Sequence, residues 1–190
     1  MKKNSVVLYK SLCAVVENID GEKFQIKFCT SPATPTGKKA VYGEQKVREK
    51  DIALLCEDAA TSLDKVLAFT DENFVNQIKE VHELLLSDES TAKEKITFQD
   101  LVELARGGLK SDESYYLYKT LSESLEFCLL SDELKNGQIV FVPRSEEEIT
   151  ELNQTIINEI NDMRSYEQLA PLTEDFSIDF QTAKKIYVDT

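Results

Sequence analysis

Residues 96–106 read Ile96-Thr97-Phe98-Gln99-Asp100-Leu101-Val102-Glu103-Leu104-Ala105-Arg106, and Gly107-Gly108 follows them. The apolar residues after Thr97 recur at spacings of three and four, which is typical of an amphipathic helix. A glycine pair ends a helix readily because glycine adopts left-handed backbone angles without steric cost. This stretch therefore predicts a short strand and a helix from Phe98 to Arg106.

Further helical patterns flank this stretch. Apolar spacing predicts one helix from a cap at Thr70 to about Leu86, and another from a cap at Ser111 to about Glu123. Asn136-Gly137 then separates two apolar runs, which is a strong β-hairpin signal. Helix, short strand, helix, helix and hairpin is the element order of a winged helix-turn-helix.

The first 57 residues have the period of strands. Phe24-Gln25-Ile26-Lys27-Phe28 alternates apolar and polar residues, and Asp20-Gly21 before it predicts a tight turn. Residues 30–37 contain two prolines and predict a loop. Further strands are predicted over residues 5–9, 12–16, 38–42 and 46–55, and together these predict a small antiparallel β-barrel.

A capping box, Ser145-Glu146-Glu147-Glu148, predicts a last helix that ends at about Arg164. Its apolar residues form a narrow seam, which needs a partner surface. We expect the seam to dock on the preceding helices, and homodimerisation through it remains the alternative. The seam consists of Ile149, Leu152, Ile156, Ile160 and Met163.

The predicted fold class is α+β: a small antiparallel β-barrel followed by a winged helix-turn-helix and a C-terminal helix. The boundaries are residues 1–57 for the barrel, 58–144 for the winged helix and 145–165 for the long amphipathic helix. Residues 166–190 are expected to be a poorly organised tail or a linker to a further domain.

Charge is segregated along the 190 residues, which carry a net charge of -13. Residues 1–55 contain ten basic side chains against six acidic ones, a net charge of +4, so residues 56–190 carry -17. Attraction to a polyanion should therefore arise in the first segment. No apolar run approaches the roughly 20 residues of a membrane span. Four cysteines without C-x-x-C spacing indicate reduced thiols in the cytoplasm.

No catalytic constellation is visible in the sequence. His82 is the single histidine, and acid–base chemistry would need a second titratable group beside it. Phosphate-binding glycine motifs and metal-ligand spacings are not found in the sequence, and no cofactor is expected in this chain. A stand-alone enzyme is therefore the least favoured class.

The basic residues near position 45 are the candidate binding site. Cationic side chains beside an aromatic ring suit single-stranded RNA, because the backbone charge and the bases are both contacted. A solvated basic edge without a ligand remains open, since Glu44, Glu49 and Asp51 dilute the charge. The candidate RNA-binding residues are Lys38, Lys39, Tyr42, Lys46, Arg48 and Lys50.

The helix predicted from Ser111 occupies the position of a DNA-reading helix. Its expected exposed face carries three acids and one lysine, which would repel phosphate. Sequence-specific DNA reading, as in a transcription factor, is therefore disfavoured. That face comprises Asp112, Glu113, Tyr116, Lys119 and Glu123.

These features together resemble the N-terminal accessory region of bacterial ribonuclease II-family (RNB) exoribonucleases, over residues 5 to about 165. The resemblance lies in Gln45-Lys46-Val47-Arg48-Glu49-Lys50-Asp51-Ile52, the stretch from Ile96 to Ala105, and the Gly107-Gly108 break. It continues through Asn136-Gly137, Val140-Phe141-Val142-Pro143-Arg144 and the capping box.

The resemblance implies that the chain is a fragment or a shortened relative of a 3′–5′ exoribonuclease. In that family a separate catalytic domain holds Mg²⁺ through clustered aspartates, and its motif does not occur here. The implied partners are single-stranded RNA and the chain's own downstream catalytic domain. The alternative function is an acidic winged-helix adaptor for protein interaction or dimerisation, with no nucleic-acid role.

Overall fold

The computed structural model describes residues 1–31, 39–88, 92–131, 133 and 137–167, of which residues 161–167 are described by backbone alone. These residues form an α+β fold whose two sheets are antiparallel. The predicted fold class is thus confirmed at the level of α+β.

The first sheet is built by the N-terminal segment, with strand order β4-β3-β2-β1-β5. Gly21, at a φ of 59°, forms the turn between β2 and β3 that Asp20-Gly21 predicts. The strands are β1 (Val6–Tyr9), β2 (Leu12–Asp20), β3 (Lys23–Ser31), β4 (Val41–Arg48) and β5 (Ala53–Cys56).

This sheet is strongly curled. The hydroxyl of Tyr9 on β1 donates a hydrogen bond of 2.8 Å to Gln45 Oε1 on β4, although two strands lie between them in the sheet. Inside the curl, the ring of Phe28 lies 5.2 Å from that of Tyr9. The same ring leaves no space for a Cβ at Gly43, which would lie 2.7 Å from it.

The sheet does not close into the predicted barrel, because β4 and β5 are not paired within the described part of the chain. A 3₁₀ turn, Glu49–Asp51, separates the two strands. The N–H of Arg48 donates to the Asp51 carboxylate at 3.0 Å, and the N–H of Ile52 donates to the Glu49 carbonyl at 3.2 Å. The turn thus satisfies two of its own backbone donors between the two unpaired strands.

The remaining elements are helices and a second sheet of order β6-β8-β7. The helix predicted over residues 98–106 has those same bounds, and Gly107 follows it at a φ of 71°. The elements are α1 (Leu63–Ala68), α2 (Phe74–Leu86), β6 (Ile96–Thr97), α3 (Phe98–Arg106), α4 (Ser114–Glu123), β7 (Phe127–Leu129), β8 (Val140–Pro143) and α5 (Glu146–Glu167).

Several predicted boundaries are wrong. The short helix α1 was not predicted, and the next helix begins at Phe74 rather than at a Thr70 cap. The strand predicted over residues 38–42 is part of the longer β4, and that over 46–55 is divided by the 3₁₀ turn. α4 is preceded by a 3₁₀ turn, Ser111–Glu113. Asn136 and residues 168–190 lie outside the described residues.

One hydrophobic core joins the segments predicted as separate domains. Val6, Leu8 and Leu55 of the sheet belong to the same buried cluster as Phe98 and Leu117 of the helices. A second cluster, which includes Val7, Val16 and Ile26, fills the inside of the curl. Residue 57 is therefore a change of secondary structure within a shared core. No helix in the described residues is long and apolar enough to cross a membrane.

Replacing Phe98 by alanine tests the shared core. Phe98 is fully buried, so Phe98→Ala should lower the free energy of unfolding by about 3–5 kcal/mol. Leu104→Ala on the same helix is the matched control. Leu104 is 51% exposed, so this substitution should lower the free energy of unfolding by about 0.5 kcal/mol or less. Urea denaturation measures both, and equal effects would contradict the proposed packing.

Candidate nucleic-acid interface

The edge strand β4 carries the candidate residues on one of its faces. Successive side chains of a strand point to opposite sides, so Tyr42, Glu44, Lys46 and Arg48 share a face. All four are exposed. The other face of β4 turns into the curl, where Val47 is buried. The structure therefore brings Tyr42, Lys46 and Arg48 together on the outside of the sheet.

The neighbouring strand β3 adds two lysines to this surface. Lys23 lies opposite Arg48, and Lys27 lies opposite Glu44. Sequence reasoning missed both, because Lys27 and Lys23 stand 11 and 15 positions before Lys38, where the basic cluster begins. The signal was present in the alternation of β3, which places Lys23, Gln25 and Lys27 on the polar face. We call Lys23, Lys27, Tyr42, Lys46 and Arg48 the cationic face.

Two carboxylates interrupt the cationic face. Lys46 Nζ lies 2.9 Å from Asp20 Oδ2, and this hydrogen bond lowers the pKa of Asp20. Glu44 lies beside Lys46 on the same strand face. The four cations therefore face two carboxylates on the strands, and two more carboxylates, Glu17 and Asp64, lie beside Lys27 and Tyr42 at the other end of the face.

Tyr42 joins the cationic face to the helical part of the molecule. Its hydroxyl donates a hydrogen bond to Asp64 Oδ1 on α1, and Lys27 Nζ lies 5.0 Å from the centre of its ring. The Asp64 carboxylate accepts this proton, so it raises the pKa of Tyr42 to about 12. The ring is still 36% exposed and presents an aromatic surface at one end of the cationic face.

The other candidate residues stand apart from this arrangement. Lys39 is exposed and precedes β4, while Lys50 is exposed on the 3₁₀ turn after it. Lys38 lies outside the described residues. Lys39 and Lys50 thus flank the two ends of the strand rather than extend the cationic face.

The N-terminus of α4 is occupied by contacts within the molecule. Asp112 accepts hydrogen bonds from the N–H and the hydroxyl of Thr61 at 2.7 and 2.6 Å. Tyr116 donates to the Asp71 carbonyl at 3.0 Å, and its ring packs edge-on against Phe69. The residues around α1 therefore cover the surface that a DNA-reading helix would present.

Glu113 is also used internally. Its carboxylate lies 3.5 Å from Arg106 Nη2 and 3.7 Å from Lys110 Nζ. Because Arg106 also pairs with Asp71 at 2.9 Å, these ion pairs join the end of α3 to the segment between α1 and α2 and to the 3₁₀ turn before α4. Lys119 is exposed on α4.

His82 has a structural environment. It is buried, its Nε2 lies 2.7 Å from the Arg144 carbonyl, and its ring packs edge-on against Phe127. Contact with a carbonyl requires the proton on Nε2. Arg144 in turn donates through Nη1 to the carbonyls of Ser124 and Leu125, at 3.1 and 3.0 Å. This network joins α2 to the end of β8.

The four cysteines are free, and three of them are buried. Burial raises the pKa values of Cys13 and Cys56, so both side chains stay protonated thiols and are poor nucleophiles. The described residues contain no group of three or more His, Cys, Asp or Glu side chains that could hold a metal ion.

The seam of α5 makes little contact with the body of the protein. Ile149, Leu152, Ile156 and Ile160 are only half buried, and neither hydrophobic cluster includes a described side chain of α5. The Met163 side chain lies outside the described residues. The expectation that the seam docks on the preceding helices therefore gains no support from the packing.

Comparison with known proteins yields no relative: the sequence matches no protein-family model, no curated protein and no solved structure.

The Tyr42–Asp64 hydrogen bond predicts a shifted tyrosine titration. Asp64→Asn should return the pKa of Tyr42 from about 12 toward its ordinary value of about 10, because the neighbouring charge is removed. Because the pKa of Tyr42 is higher in the folded than in the unfolded protein, the hydrogen bond stabilises the folded state fully below pH about 10. This stabilisation is lost as the pH rises to about 12.

The measurement is the phenolate absorbance of wild type, Asp64→Asn and Asp64→Asn with Tyr42→Phe across this pH range. The Tyr42→Phe background identifies which of the seven tyrosines moves. Identical titration curves for wild type and Asp64→Asn would contradict the bond.

Proposed function

We propose that this chain is an RNA-binding and positioning module, of the kind that precedes the catalytic domain in ribonuclease II-family exoribonucleases. The observation that carries the proposal is the cationic face, on which β3 and β4 present four basic side chains beside one exposed aromatic ring. This combination suits a single strand, whose phosphates and unstacked bases are contacted together.

The dimensions of the cationic face also suit a short single strand. Tyr42 and Arg48 are six residues apart, which corresponds to about 20 Å along a strand at about 3.3 Å per residue. A few nucleotides fit this length, with phosphates near the cations and one base near Tyr42. The carboxylates beside these cations imply weak binding that depends strongly on salt.

The helical part supports positioning rather than base reading. Its element order, with β8 central in the three-stranded sheet, favours a winged helix-turn-helix. The N-terminus of α4 is covered by Thr61, Asp71 and Phe69. We infer that this winged helix is a packing unit that holds the curled sheet and presents its cationic face outward.

Within this proposal the chemistry belongs to a separate catalytic domain. That domain would hold Mg²⁺ and cleave RNA from the 3′ end, as the family resemblance implies. The residues described here would bind RNA and contact that domain, and we assign no catalytic residue among them. A cytoplasmic location agrees with four free thiols.

Reversing two charges on the cationic face tests the proposal. Lys23→Glu with Arg48→Glu should weaken binding of single-stranded RNA, because two opposed cations become anions. Loss of two phosphate contacts should reduce the slope of log affinity against log salt by about 1.4, at about 0.7 per contact. Fluorescence anisotropy at several salt concentrations measures both effects.

The matched control is Lys79→Glu with Lys119→Glu, which makes the same charge change at exposed positions of α2 and α4. The control should lose little affinity and keep the wild-type slope. Equal losses in the two double variants would indicate nonspecific attraction, and RNA binding absent even at low salt would refute the function.

A second candidate function, a protein-interaction adaptor, is favoured by the seam of α5. Half-buried apolar side chains on an otherwise acidic helix need a partner surface. Ile149 also lines an open groove of about 640 Å³ together with Leu86 of α2. The seam and this groove would form the adaptor surface, with a second copy of the chain as its simplest occupant.

Light scattering over a range of concentrations tests the adaptor. The wild type should form a dimer, and Ile156→Glu should shift it to monomer by placing a charge in the seam. Asn153→Glu, at an exposed position of the same helix, is the control and should remain dimeric. A wild type that is monomeric at every concentration would count against homodimerisation.

A further inference from the structure

A cleft of about 200 Å³ lies at the Tyr42 end of the cationic face. One wall is the outer surface of β2, β3 and β4, and the other is formed by residues 60–64, which lead into α1. The cleft is smaller than the roughly 300–1,000 Å³ of sites for drug-sized molecules. It therefore has room for one planar group about as large as a nucleobase.

The lining of the cleft is mainly polar and includes three apolar side chains. These are Val15, Ala60 and Leu63, and all three are buried. Ligand sites generally combine such an apolar surface with a few placed polar groups. A flat heterocycle can pack against these three side chains while polar groups contact its edge.

The rim of the cleft carries Glu17, Lys27, Tyr42 and Asp64. Glu17 is half buried and makes no hydrogen bond or ion pair within the described part of the chain. Asp64 accepts the Tyr42 proton through one oxygen, and a carboxylate has further acceptor positions. Two carboxylates against one lysine disfavour phosphate here and favour a group that donates hydrogen bonds.

We propose that this cleft binds a guanine base, with Glu17 and Asp64 accepting hydrogen bonds from its N–H groups and Tyr42 contacting its ring. Guanine presents an imino and an amino donor side by side, whereas adenine and cytosine present one amino group on the same edge. The proposal rests on the proposed function in one respect, since the strand on the cationic face would deliver the base.

Base preference in RNA binding is the first arm of the test. A short uridine-rich RNA with one guanine should bind the wild type about tenfold more tightly than the same RNA with adenine. Glu17→Gln and Asp64→Asn should each abolish most of this preference, because an amide accepts less strongly and also presents donors. Glu72→Gln, at an exposed position outside the cleft, is the matched control and should keep it.

Free nucleotides are the second arm, measured by calorimetry with guanosine and adenosine monophosphates. This arm distinguishes a base within RNA from a free nucleotide. Guanosine monophosphate binding without RNA binding would support the cleft and overturn the proposed function. RNA binding with equal affinity for the two oligonucleotides would overturn the cleft and leave the proposed function standing. Binding of neither RNA nor nucleotide would overturn both.

Discussion

The burial of one sheet face against the helices is the contact on which the rest of the molecule depends. β1, β2 and β5 contribute Val6, Val15 and Leu55, respectively, to the same apolar cluster as Phe98 and Leu117. A curled sheet this small buries little area by itself, and small units need additional partners for stability. Because the cluster shared with the helices includes residues of β1, β2 and β5 but none of β3 or β4, the same face is less covered over β3 and β4. The candidate interface is therefore the uncovered part of a surface whose covered part stabilises the fold.

The distribution of charge follows from this arrangement. The acidic residues near the start of α4 are occupied with internal contacts, such as Asp112 with Thr61 and Glu113 with Arg106. These contacts link the residues on either side of the short helix α1 to the rest of the helical part. Of the basic side chains of β3 and β4, in contrast, Lys23, Lys46 and Arg48 are exposed, and only Lys46 forms an ion pair among the described residues. The acidic part of the sequence thus supplies contacts within the helical part, and the basic part supplies side chains to the surface of the sheet.

Tyr42 is where these two parts meet. Its ring lies at the end of the cationic face, and its hydroxyl reaches Asp64 on α1. A ligand that contacts the ring therefore also contacts the junction between the sheet and the helices. The hydrogen bond thus couples the cationic face to the short helix α1. The carboxylates of Glu17 and Asp64 at the cleft add hydrogen-bond acceptors to a surface that is otherwise rich in basic side chains.

Local pattern in the sequence determined most of the secondary structure, because periodicity and turn residues act within a few positions. The helix from Phe98 to Arg106, the Asp20-Gly21 turn and the alternation of β3 all depend on such short-range preferences. The charge imbalance and the cluster of basic residues around β4 could also be predicted, because both are read directly from the positions of charged residues in the sequence. Only tertiary structure decided that the sheet stays open, since this depends on whether its two edge strands, β4 and β5, meet and pair after the sheet has curled. Only the strand register placed Lys23 and Lys27 beside β4, and only packing brought Asp64 to Tyr42, because these pairs are 17 to 25 positions apart and no local preference relates them.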